Sequence, residues 1–66
     1  MSIHAIVQIP QFPDFLEKRE IGDMDVKPFA KMLREEYGTW AWIDLVDEET
    51  GNRVAVERDG SVRLFE

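Results

Sequence analysis

Cysteine is absent from this 66-residue chain. That excludes disulfides and thiolate metal sites, which often staple domains this small. There is one histidine, His4. A zinc site needs further nitrogen or sulfur ligands, and acid–base work would need a positioned partner such as Glu17, Glu20 or Asp23. No spacing marks such a partner. The only serines, Ser2 and Ser61, lie near the terminus and beside a turn, with no base in view. The four glycines stand singly, so no phosphate-cradling loop exists. Basic residues are few, eight against fourteen acids, for a net charge of −6. Direct binding of nucleic acid needs a basic surface and is disfavoured. Long apolar runs are also missing. Ile3 to Ile9 is too short and too polar for a signal-peptide core, and nothing is long enough to span a bilayer. These absences predict a cytoplasmic protein that is no enzyme and has no metal and no cofactor.

The chain nonetheless has a globular composition, 44% hydrophobic and 33% charged. One domain, residues 1–66, is all this length allows. A domain so small buries only about 60% of its unfolded surface, so a second copy or a bound partner would add useful stability.

Ile3 to Ile9 alternates apolar odd positions with polar His4 and Gln8, which predicts a strand. Pro10 and Pro13 cannot donate to a ladder and are expected to end it. The stretch from Pro13 to Glu20 reads as a short helix or an irregular loop anchored by Phe12, Phe15, Leu16 and Ile21. Its position over the rest of the fold is open. A main helix follows, with Asp25 as N-cap and Pro28 inside the first turn, where a missing donor costs little. Met24 and Phe29 occupy the positions of a hydrophobic staple. Val26, Phe29, Ala30, Leu33 and Tyr37 form its apolar stripe, and Lys27, Lys31, Arg34 and Glu35 are expected to face water. Gly38 is the expected stop.

Residues 40–65 read as a three-stranded antiparallel meander. A four-residue turn, Glu48 to Gly51, sets Leu45 opposite Val54 and Ile43 opposite Val56. A three-residue turn, Arg58 to Gly60, sets Val56 opposite Val62 and Val54 opposite Leu64. Together these registers keep one face apolar: Ala41, Ile43, Leu45, Val54, Val56, Val62 and Leu64. The expected fold class is α+β, a small single domain of order β-(short α)-α-β-β-β with the meander packed against one helix. The first strand is expected either beside a meander edge or on another protomer.

The same registers turn Trp40, Trp42, Asp44, Val46, Arg53, Ala55, Glu57, Arg63 and Phe65 to the other face. Asp44 and Arg63 could pair across the small Ala55. Tryptophan and arginine are enriched where partners bind tightly, so Trp40, Trp42, Asp44, Arg53, Arg63 and Phe65 form the candidate contact set. The competing reading is a second small core, with the segment after Pro10 folded over the indoles. Asp47, Glu48, Glu49, Glu57 and Asp59 form an acidic rim at the turns. Solubility explains such a rim, and so does complementarity to a basic partner surface. A calcium loop does not fit, because residues 47–52 lack the alternating oxygen ligands.

The expectation is a non-enzymatic, acidic protein-binding module that occupies a partner's surface. In its sharper form it inhibits nucleic-acid machinery as a phage or mobile-element decoy. In general character it is similar to small acidic single domains of the anti-CRISPR kind, although no residue motif carries that likeness. The alternative is a homodimeric accessory subunit whose tryptophan-bearing face is the assembly interface.

Overall fold

A computed structural model describes residues 2–63. It is an α+β fold in which one helix packs on a four-stranded antiparallel sheet. The elements are β1 (Ile3–Ile9), β2 (Phe12–Glu20), α1 (Val26–Tyr37), β3 (Trp42–Asp47) and β4 (Arg53–Ala55). The sheet order is β2-β1-β3-β4.

The first strand lies beside the β3 edge of the meander, the first of the two expected positions, and it becomes central because β2 adds on its other side. It pairs antiparallel with β2 on one side and β3 on the other. Its alternation sets the buried face: Ile3, Ala5 and Val7 enter the core. Residues 12–20 correct the expectation: they form a strand and neither a short helix nor a loop. Phe12, Phe15 and Leu16 mimic helical spacing, but pairing with β1 satisfies the backbone of both segments. Pro13 is tolerated because β2 is an edge and the register shifts near Gln8 and Ile9, so the missing donor costs no ladder bond.

The helix runs as expected. Asp25 has the extended backbone of an N-cap, and its carbonyl accepts the Phe29 amide at 3.1 Å, but its side chain makes no capping bond. Gly38 ends the helix at φ 92°, and its amide returns to the Arg34 carbonyl at 2.9 Å. Phe29, Ala30 and Leu33 enter the core with Ile3, Ala5, Val7, Ala41, Ile43, Leu45 and Val56. Tyr37 meets β2: Phe15 packs edge-on at 6.4 Å, and the Arg19 guanidinium donates to its hydroxyl at 2.9 Å and to Glu36 at 2.6 Å. The Tyr37 and Glu36 bonds, in that order, hold the Arg19 pKa above its usual value.

Arg34 does not face water. It is 7% exposed, and among the described residues no carboxylate forms an ion pair with it, although the Glu57 charge acts on it from a distance. Its guanidinium donates to the carbonyls of Ala41 (2.6 Å), Val56 (2.7 Å), Gly38 (2.9 Å), Glu57 (3.1 Å) and Thr39 (3.3 Å). Burial, reinforced by nearby Arg58, lowers its pKa. Five oxygens and the negative end of the helix dipole work the other way. One side chain thereby ties the helix end to the turn before β3 and to the end of the second hairpin.

Both meander registers hold. Leu45 pairs with Val54, the Val56 amide bonds the Ile43 carbonyl at 2.8 Å, and Val56 bridges Val62. Strand β3 begins at Trp42, two residues later than expected, because residues 38–41 are drawn into the Arg34 clamp. Beyond the Val56–Val62 bridge, the expected Val54–Leu64 pair lies outside the described residues.

Candidate functional site

The helix covers one face of the sheet. On the other face the registers assemble three cross-strand rows. The first is Leu16–Gln8–Trp42, the second Lys18–Ile6–Asp44–Ala55, and the third Glu20–His4–Val46–Arg53. No described element lies over them. Trp42 is 63% exposed and Leu16 65% exposed, although both sit inside strands. A tryptophan on a strand that its own fold leaves uncovered is the feature that most needs explaining.

The charges on this face are settled locally. Lys18 and Glu20 lie 3.3 Å apart, and Arg53 donates to Asp44 at 3.3 Å. Asp44 therefore pairs with Arg53 on β4, not with Arg63 as expected. The reason is register: Arg53 stands opposite Val46, one diagonal step from Asp44. His4 Nδ1 lies 2.8 Å from Glu48, and Ser2 donates to the same carboxylate at 3.1 Å. These two bonds, His4 first, hold the Glu48 carboxyl below its usual range. Within the three rows, Lys18 and Arg53 balance Glu20 and Asp44, in a chain of net charge −6.

The expected contact set is only partly brought together. Trp42, Asp44 and Arg53 share the open face. Trp40 lies in the turn ahead of β3, exposed, with the Arg58 guanidinium 4.3 Å above its ring. Arg63 is exposed after the final bridge, outside any strand. Phe65 lies outside the described residues. The second-core alternative is not what the fold adopts, because the segment after Pro10 runs beside β1 and leaves Trp42 open.

The acidic rim is largely engaged in its own turns. Asp47 is buried, and its side chain accepts the Glu49 amide at 2.9 Å. Asp59 accepts the Ser61 amide at 2.9 Å, and bonding to Ser61 lowers its pKa. Glu48 serves His4 and Ser2. Glu49 and Glu57 are exposed. Among the described residues, no three His, Asp or Glu side chains cluster as a metal site, and no helix is long and apolar enough to cross a membrane.

Sequence reasoning missed Ile6, Gln8, Leu16 and Lys18 as members of the face. Their signal is the even parity of β1 and β2, which is readable only once β1 is known to be central. At the end of the first row, Gln8, Ile9, Pro10, Pro13, Phe15 and Trp42 line an open notch of about 280 Å³. No family model matches the chain, and no curated protein or solved structure matches it either.

Proposed function

We propose that this chain is a non-enzymatic protein-binding module, acting in the cytoplasm, whose contact surface is the uncovered sheet face around Trp42. The observation that carries this reading is the exposure of Trp42 and Leu16 together on one row of a strand-built surface with paired charges. Aromatic anchors on a rigid scaffold lose little side-chain entropy on binding, which is why they dominate interfaces. The turn acids support an acidic-decoy mechanism less well, since Asp47, Glu48 and Asp59 already serve their own chain. An inhibitor acting by surface occupation remains compatible with a face of paired charges.

The test is capture of partners on immobilised protein from the native host, run in parallel with Trp42→Ala and Leu16→Ala, both checked for fold by circular dichroism. Partners retained by the parent and lost by folded variants support the reading. Equal capture by all three proteins defeats it. A second copy of the chain is the one other occupant with an observation behind it, because paired charges on the face keep like charges from meeting within the contact. Sedimentation over a wide concentration range distinguishes that case.

A further inference from the structure

We infer that the notch beside Trp42 takes a proline-containing partner segment in polyproline II conformation, flanked by lysine or arginine. This rests on the protein-binding reading above and narrows it to one ligand chemistry. Four observations carry it.

The walls are rings of fixed shape. Pro10 and Pro13 have locked backbones, Phe15 is held edge-on against Tyr37, and Trp42 stands open on β3. The site is therefore preformed, and a ligand that is itself stiff loses little further entropy there. The notch holds about 280 Å³, enough for one or two small rings and too little for a helix face.

Its hydrogen-bonding capacity fits the same ligand. The Gln8 carboxamide and the Trp42 indole N–H have no described partner. A polyproline II segment presents carbonyl acceptors outward and, at each proline, no N–H at all, so it requires donors beside an apolar wall. A helix conceals its carbonyls. An added strand would sit on a sheet edge and leave the notch unused.

Charge completes the match. Asp14 is exposed between the two notch residues Pro13 and Phe15. The β3–β4 register, continued by the Val56 amide on the Ile43 carbonyl, brings exposed Glu57 alongside Trp42. An acid at each side of an apolar notch favours a cation on each side of the bound ring.

The experiment uses the full chain labelled with ¹⁵N and three short synthetic peptides. One carries a Pro-Pro pair with arginine on both sides, the second replaces the arginines by glutamate, and the third replaces the prolines by alanine. The expected result is saturable movement of the Trp42 indole and Gln8 carboxamide signals with the first peptide. Binding of the other two should be weaker by about tenfold or more. Trp42→Ala should abolish the response, and Gln8→Ala should weaken it in a protein whose remaining spectrum is unchanged. No response at millimolar first peptide, or equal response to all three, overturns the inference. A Trp42-dependent partner that contacts the face without proline also overturns it while leaving the protein-binding reading intact.

Discussion

Replacing Arg34 by methionine tests whether a buried cation held only by carbonyls stabilises this fold. Methionine matches the length of the stem and removes every donor. Of the five carbonyls that Arg34 serves, those of Ala41 and Val56 are reached through fully buried bonds. The other three are partly buried and can take water instead. Each buried acceptor left without a donor costs about 1–3 kcal/mol, so the two together cost roughly 2–6 kcal/mol. Relief from desolvating the guanidinium returns part of that, since burial lowers its pKa. A net loss of about 3 kcal/mol is the expected outcome. Total stability for a chain this short is only about 3–10 kcal/mol, so the loss is large. With a urea slope of about 1 kcal/mol/M, the midpoint should fall by roughly 3 M.

The assay is equilibrium urea unfolding followed by far-ultraviolet circular dichroism. Arg34→Lys separates charge from geometry. Lysine keeps the cation but has one nitrogen where arginine has a five-donor fork, and it cannot reach both the 38–41 turn and residues 56–57. It should fall between the parent and the methionine variant. A methionine midpoint within about 0.5 M of the parent would refute the reasoning, because the buried oxygens would then be satisfied without the clamp. A lysine variant as stable as the parent would refute the geometric part alone.

Other consequences are direct. Gly51 and Gly60 both have positive φ, 78° and 90°, and a Cβ would sit 3.4 Å from the Lys31 backbone at Gly60 and in open space at Gly51. Alanine at either glycine should cost about 1 kcal/mol from the positive φ, read as the shift in thermal unfolding. Because the Glu48 carboxyl is held below its usual range by His4 and Ser2, it adds stability above that range and loses it as pH falls through its own lower value. Glu48→Gln should therefore show a smaller drop in urea midpoint between neutrality and about pH 3 than the parent does. Trp42→Ala should leave the unfolding free energy within about 1 kcal/mol of the parent, because the ring is mostly exposed, and a loss of folding would place it in the core.

Much of the architecture is legible along the chain, and the failures have physical causes. The meander is readable because apolar alternation on two strands and a glycine in each turn constrain the register independently, so only one loop length satisfies both. The helix is readable because Phe29, Ala30 and Leu33 repeat at its period between Asp25 and Gly38. Strand β2 is not readable. Phe12, Phe15 and Leu16 imitate a helix locally, and what makes residues 12–20 extended is the ladder with β1, a pairing that no local pattern encodes. Arg34 is hidden for a related reason. It lies one residue past Leu33 at the margin of the apolar stripe, where a charged residue normally faces water. Only when the turn after α1 and the end of the second hairpin converge does that margin become interior.

The open face follows from the same accounting of elements. A central β1 has two sides, and among the described residues one helix is available to cover the sheet. One side must stay bare. A bare side meant only for water would be expected to carry unpaired charge at its centre, as solvated sheet faces do. Here Lys18 is matched by Glu20 and Asp44 by Arg53, His4 and Glu48 are bonded to each other, and Ile6, Gln8, Leu16, Val46, Ala55 and Trp42 occupy the rest. Pairing these charges within the chain lowers the desolvation cost of covering this surface, and the uncovered indole raises the gain. Both effects favour occupation of the face, and neither contributes to the stability of the isolated domain.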